Sequence, residues 1–147
     1  TKEEFEEQIA NGQMLEHAEY CGKYYGTPSS QIMDWIEEGR DVVLEIEVQG
    51  ARQIKEKRPD CVSIFVLPPS LEELEKRLRY RNTEDEETIQ KRLAVARQEM
   101  ETARDYDYVI VNDTIEHTVE QINKIIAAEK LKVSRAKSNI ERVLNND

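Results

Sequence analysis

Two groups of charged residues stand at spacings that could do chemistry. Glu45 and Glu47 sit two apart in the run Val42-Val43-Leu44-Glu45-Ile46-Glu47-Val48, so a strand there would carry both on one face. Ionised carboxylates only accept hydrogen bonds, so a pair of them facing a crevice is a candidate acceptor site. The second group is Arg77, Arg79, Arg81, Arg92 and Arg97, concentrated around residues 79–92 of a chain whose formal net charge is -10. Guanidinium groups gathered in this way suit the spread negative charge of a phosphate-bearing ligand. Each group also has a plainer reading. Alternate glutamates are what a solvated strand face looks like, and Glu72, Glu73, Glu75, Glu86 and Glu87 stand close enough to make the arginines a salt-bridged helix surface. Pattern alone favours the plainer readings. His17 and His117 have no Ser, Cys or metal-ligand partner at useful spacing and receive no role.

The elements that must position these residues follow from periodicity and end signals. Thr1 with Glu4 has the form of a capping box, and Phe5 and Ile9 repeat at helical spacing until Asn11-Gly12. Met14 to Tyr20 and Lys23-Tyr24-Tyr25, on either side of Gly22, read as a hairpin whose glycine supplies a positive φ. Thr27-Pro28 reads as an N-cap with proline at the first helical position, opening a helix with Ile32, Trp35 and Ile36 on its apolar stripe and Gly39 at its end. Residues 42–48 form a strand with Leu44, Ile46 and Val48 on the face opposite Glu45 and Glu47. Residues 50–57 are helical up to Pro59, and 61–67, bounded by Pro68-Pro69, is a strand apolar enough to be buried on both faces. Ser70 with Glu73 caps a helix carrying Leu71, Leu74 and Leu78. Thr83 with Glu86 caps a longer one carrying Ile89, Leu93, Ala96, Met100 and Ala103, to about Asp105. Tyr108-Val109-Ile110-Val111 is a third strand, Ile115, Val119, Ile122 and Ile126 give the next helix its buried face, and 131–147 is an exposed helical tail.

Strands at 42–48, 61–67 and 108–111 separated by helices imply an α/β fold with a parallel sheet. Ligands then bind beyond the carboxyl ends of the strands, which brings Glu45, Glu47, Asn112 and Asp113 to one crevice. A length of 147 residues is that of one domain able to bury a core. The acidic balance, with a pI near 4.8, argues against nucleic acid as a partner. No apolar run approaches the ~20 residues of a membrane span, and no signal peptide is visible. Cys21 and Cys61 stand far apart without a CxxC partner, so both are expected as reduced thiols of a cytoplasmic protein.

The order of the segments changes these odds. Leu15-Glu16, then Gly22-Lys23-Tyr24-Tyr25-Gly26-Thr27, then Leu44-Glu45-Ile46-Glu47-Val48-Gln49-Gly50, then Pro68-Pro69-Ser70 and Val111-Asn112-Asp113 together resemble guanylate kinase over nearly the whole chain. The resemblance implies a P-loop kinase fold: a parallel sheet flanked by helices, with a small hairpin-containing GMP-binding region and a helical lid. Within one domain it implies a GMP-binding region at 1–40, core at 41–78 and 93–130, a lid at 79–92 and a tail at 131–147. The implied activity is phosphoryl transfer from ATP to GMP, giving ADP and GDP in purine nucleotide metabolism, with Mg²⁺ entering with ATP. Glu16 and Glu47 match the family's guanine-reading acids, which accept from N1–H and the N2 amine, a donor pair that AMP lacks. Thr27 matches the hydroxyl that bonds a guanine acceptor, and Tyr25 the phenol given to the GMP phosphate, while Tyr24 packs on the sheet. Arg77, Arg81 and Arg92 match phosphate-contacting, catalytic arginines, Asn112 and Asp113 lie beside adenine, and Glu45 matches an acidic position near the metal and phosphates. No residue is implied as a direct metal ligand. Asn82 stands where the family usually has glycine, a mild departure because asparagine tolerates the left-handed conformation.

The family also carries a strand, a GxxxxGK[ST] loop and a helix ahead of these segments. No GK[ST] occurs here, and glycine is found only at 12, 22, 26, 39 and 50. The expectation is therefore that the chain is part of a longer kinase and inactive by itself, lacking the cradle and lysine for the ATP phosphates. Two other readings compete. A guanylate-kinase-like interaction module would keep the fold and bind phosphopeptides, but retention of Glu16, Glu47 and the lid arginines argues against it. An oligomerisation unit built on the tail would need a sustained apolar heptad that 131–147 lacks. A homo-oligomer is allowed by the sequence and required by none of it.

Overall fold

The computed structural model describes residues 1–20, 23–81 and 84–145, except for the side chains of 15, 18–20 and 23–25. The chain divides into two units, Thr1–Ser63 and Ile64–Asp147.

In the first unit, helix α1 (Lys2–Ala10) begins where Thr1 and Glu4 cap each other. The Thr1 hydroxyl accepts from the Glu4 amide at 3.2 Å, and the Glu4 carboxylate returns to the Thr1 amine at 2.6 Å. Gly12, at φ 70, turns the chain into an antiparallel hairpin of β1 (Met14–Tyr20) and β2 (Lys23–Pro28). The expected turn glycine, Gly22, lies outside the described residues. Met14 stands opposite Pro28 and Glu16 opposite Thr27, so β1 carries one extra residue between them. This bulge sets Glu16 directly across from Thr27.

Helix α2 (Ser29–Glu37) takes Pro28 as its N-cap, one residue later than expected. Thr27 stays in β2, and its hydroxyl is engaged across the hairpin by Glu16 instead of capping the helix. The end comes as expected, with Gly39 at φ 82.

Residues 41–47 correct a second expectation, because they form no strand. Extended backbone becomes a strand only through a hydrogen-bonded ladder, and among the described residues none pairs with this segment. The period of two persists all the same. Val42, Leu44 and Ile46 pack half-buried against Ile32 and Ile54, while Val43, Glu45 and Glu47 point outwards. Helix α3 (Val48–Lys57) follows at once, with Glu47 as its N-cap.

In the second unit, β3 (Ile64–Leu67) and β4 (Tyr108–Val111) form the expected parallel pair, Ile64 opposite Tyr108 and Leu67 opposite Val111. The first of these strands is shorter than 61–67, and it is not buried on both faces, since Val66 is 45% exposed. Double burial needs cover on both sides of a sheet, which this two-stranded ribbon lacks among the described residues. Ile110 is buried, and Phe65 meets Tyr106 edge to face at 5.1 Å.

Ser70 caps α4 (Leu71–Tyr80) by accepting from the Glu73 amide at 3.0 Å. Asp85, not Thr83, caps α5 (Glu86–Thr102), accepting from the Thr88 amide at 2.8 Å; Thr83 itself lies outside the described residues. The stripe of α5 is as read: Ile89 is buried, and Leu93, Ala96, Met100 and Ala103 are half-buried. A single 3-10 turn at Ala103–Asp105 leads to β4.

Helix α6 (Ile115–Lys130) is turned from its expected face. Ile122 and Ile126 are half-buried, but Ile115 is 77% and Val119 50% exposed. The buried position is Glu129, whose carboxylate accepts the Tyr108 hydroxyl of β4 at 2.5 Å and pairs with Lys132 at 2.9 Å. Helix α7 (Val133–Leu144) is the expected exposed tail. Cys61 is half-buried, and Cys21 lies outside the described residues.

Candidate functional site

The hairpin and α3 build a seat for one carboxylate. Gln53 of α3 grips the free edge of β1, its Oε1 accepting from the His17 amide at 2.9 Å and its Nε2 donating to the His17 carbonyl at 3.0 Å. A side-chain amide thus stands in for a third strand. Lys57, one turn further on, donates to the Met14 carbonyl at 2.6 Å. Between these anchors, Glu16 is only 8% exposed. Its Oε1 accepts the Thr27 hydroxyl at 2.8 Å. Its Oε2 lies so close to Gly50 that a Cβ there would stand 2.8 Å away. Gly50 is in the first turn of α3, where unpaired amides and the helix dipole favour an anion.

Glu47 is the N-cap of that same helix, yet its side chain makes no capping bond and is exposed. Glu16 and Glu47 therefore both stand within the first turn of α3, with acceptor oxygens available. Among the described residues no Lys or Arg pairs with Glu16. Glu45 lies two residues before Glu47 on the exposed side of the extended segment. Tyr25 is in β2, opposite Ala18, and its side chain lies outside the described part.

The arginines of the second unit face glutamates. Arg77 pairs with Glu73 at 3.5 Å, and Arg92 pairs with Glu84. Arg79 bridges Glu75 at 2.8 Å and Glu86 at 2.5 Å, and the bonds that Glu86 accepts from Arg79 and then from Gln90 draw its carboxyl down to about 2. Arg81 closes α4, its backbone amide donating to the Arg79 carbonyl, and its exposed side chain has no hydrogen-bond or ion-pair partner among the described residues. Arg97 lines an open groove between α4 and α5 that holds no candidate site residue.

Asn112 and Asp113 follow the carboxyl end of β4, where a parallel pair presents ligands. Asn112 donates its amide to the Leu67 carbonyl at 2.8 Å and accepts from the Thr118 hydroxyl at 3.2 Å. The Asp113 carboxylate accepts from the Thr114 amide at 2.7 Å and meets His117 Nδ1 at 2.8 Å; the Thr114 bond first, then the histidine, holds its carboxyl below the usual range.

The guanylate kinase family model matches residues 1–129. The chain belongs to the guanylate kinase family. Guanylate kinase of Lactococcus lactis subsp. lactis is 52% identical over 145 residues, 99% of this chain and 69% of the relative. That of Oceanobacillus iheyensis is 48% identical over 146 residues, 99% of this chain and 71% of the relative. The crystal structure of guanylate kinase from Anaplasma phagocytophilum superposes with a TM-score of 0.72 at 39% identity, covering 90% of this chain and 64% of that one. The chain thus spans about two thirds of the length of these guanylate kinases. The family reading made from the motifs, a nucleoside monophosphate kinase of α/β fold, is the one these likenesses support.

Of the candidate residues in this guanylate kinase chain, Glu16, Thr27 and Glu47 meet around α3 within the first unit. Arg77, Arg81, Arg92, Asn112 and Asp113 belong to the second. Motif reading included Gly50 without giving it a role and passed over Gln53 and Lys57. They share one helix face with Ile54, at i, i+3, i+4 and i+7, a spacing that signals the side of α3 turned towards the hairpin. No helix of the described residues is long and apolar enough to cross a membrane.

Proposed function

We propose that the protein carrying this chain transfers the terminal phosphoryl group of ATP to GMP, and that the seat around Glu16 is where guanine is read. Glu16 carries this reading. A buried carboxylate ordinarily has a cationic partner, and this one has a hydroxyl on one oxygen and the first turn of α3 beside the other, which leaves acceptor capacity for N–H donors of a ligand. Guanine supplies such donors at N1 and N2, and adenine does not. Glu47, at the cap of the same helix, accepts from the other side of that edge. Thr27 steadies Glu16 and offers its oxygen lone pairs, and Tyr25 gives its phenol to the GMP phosphate.

Arg77, Arg81 and Arg92 neutralise the transferring phosphoryl oxygens, with residues 79–92 acting as the lid that brings them in. Charge neutralisation is the main protein contribution in this chemistry, because the transition state spreads negative charge over its oxygens. Arg81 is the arginine ready for this work, and Arg77 and Arg92 exchange a glutamate for phosphate. Asn112 and Asp113 lie beside adenine. Mg²⁺ arrives as part of the ATP substrate, held by phosphate oxygens and water. Glu45 acts near the phosphates and the ion that ATP brings. A cytoplasmic place of action is part of the same proposal.

The test is ADP production by the protein that carries this chain, measured with ATP and either GMP or AMP. GMP-dependent production with little response to AMP is expected. No GMP-stimulated ATP use would turn the assignment towards a non-catalytic interaction module.

A further inference from the structure

Gly50 has no conformational reason to be glycine. Among the described glycines, positive φ is confined to Gly12 and Gly39, so the backbone at 50 is one that any residue adopts. It lies in a helix, where alanine is a better helix former. Nor does neighbouring backbone crowd it. The three atoms nearest to a Cβ built there all belong to the Glu16 side chain: Oε2 at 2.8 Å, Cδ at 3.2 Å and Cγ at 3.5 Å. The space left by the missing side chain is taken by a carboxylate whose other oxygen Thr27 holds. Because the two oxygens belong to one planar group, Oε2 can retreat from α3 only by turning the carboxylate about the bond that Thr27 makes to Oε1.

We infer that Gly50 is a specificity-determining position, where the lack of a side chain lets the Glu16 carboxylate sit between Thr27 and the first turn of α3 in the place where guanine meets it. The inference rests on the reading of Glu16 as a guanine acceptor. Alanine at 50 pushes the carboxylate by about 1 Å to reach ordinary van der Waals distance. It leaves the fold alone, since what moves is the end of a flexible side chain. A misplacement of that size at a recognition group costs up to about 10²-fold. Gly50 touches no substrate in this account and acts through Glu16, as a positioning residue.

The experiment uses the protein that carries this chain in four forms: wild type, Gly50→Ala, Glu16→Gln and the double variant. Calorimetric titration with GMP and with ATP, thermal melting, and kcat at saturating GMP are measured for each. Gly50→Ala is expected to melt at or above the wild-type temperature, to bind GMP about 10-fold more weakly, and to keep its ATP affinity and most of its kcat. In the Glu16→Gln background the same change is expected to cost little further GMP affinity. Normal GMP affinity in Gly50→Ala, an equal loss in both backgrounds, or a lowered melting temperature with parallel loss of GMP and ATP overturns the inference and leaves Glu16 as the reader. Unchanged GMP affinity in Glu16→Gln overturns the reading of Glu16, and the role of Gly50 with it.

Discussion

In residues 1–63 the Glu16 carboxylate is 8% exposed and is touched by Thr27 and α3, whereas in residues 64–147 the side chains of Arg77, Arg79 and Arg92 are 46%, 42% and 48% exposed. Glu16 is held in place before any ligand arrives, and Arg77, Arg79 and Arg92 are held in pairs that water can reach. Exposed pairs of this kind contribute only about 0–1 kcal/mol, so a guanidinium can leave its glutamate for a phosphate at small cost. A buried acceptor has no such freedom, and its value lies in being aimed. On the proposed roles, recognition and charge neutralisation are built on opposite physical terms in one chain.

The comparison breaks most visibly at the arginines. In the protein that carries this chain, Arg81→Ala and Arg92→Ala are each expected to lower kcat by about 10²-fold, the scale of losing one donor to transition-state charge. Steady-state kinetics at saturating GMP and ATP measures this. Unchanged kcat in both variants would return the cluster to a salt-bridged surface.

Glu47→Gln tests the acid side. An amide presents one acceptor and one donor where the site supplies acceptors, so a guanine N–H meets a donor. Leaving such a group unpaired costs ~1–3 kcal/mol, or roughly 5- to 150-fold in GMP use, with ATP affinity little changed. Kinetics with GMP and ATP varied separately checks it. Equal losses for both substrates would assign Glu47 to the fold.

Gly26→Ala asks how rigid the hairpin behind Glu16 is. A Cβ there would stand 2.8 Å from the Phe5 ring and 3.0 Å from the Glu16 carbonyl oxygen, and a backbone atom cannot swing aside. Overpacking of this kind is expected to cost about 1–3 kcal/mol of stability in urea unfolding. A variant as stable as wild type would show that α1 and the hairpin are loosely joined.

The smallest expected effect is the acid dependence of the Arg79–Glu86 pair. Hydrogen bonds from Arg79 lower the Glu86 carboxyl from its ordinary 4.5 to about 2. A lowered carboxyl stabilises the fold where it is ionised in both states, so the contribution is present above about 4.5 and fades as pH falls towards 2. Melting of wild type against Glu86→Gln between those limits should show a difference that shrinks with acid and with salt, and stays slight because the pair is exposed. A difference independent of both would mean that Glu86 acts through something other than Arg79.

Local rules were enough for much of the molecule. Capping at Thr1 and Ser70, the stop at Gly39, the hairpin, the parallel partners and the stripe of α5 were legible because each depends on residues within a turn or on a short period. The outward face shared by Glu45 and Glu47 was legible for the same reason, and it survives although no strand forms at 41–47. What failed needed a partner that periodicity cannot supply. A strand exists only with its neighbour, and the cap expected of Thr27 gave way to a carboxylate 11 residues earlier. The turned face of α6 depends on Glu129 reaching Tyr108, 21 residues away.

The sequence by itself determined which residue types are present and, through the family motifs, the roles we propose for them: acids to accept guanine donors and arginines to neutralise phosphate. Only the tertiary structure decided which of them are ready. It placed Gln53 on the edge of β1, 36 residues from His17, left Gly50 bare beneath Glu16, and set Arg81 apart from the paired arginines. The physical reason is that side-chain type and backbone period are properties of neighbours along the chain. Burial, orientation and the choice of hydrogen-bond partner are settled between segments that meet only when the chain folds.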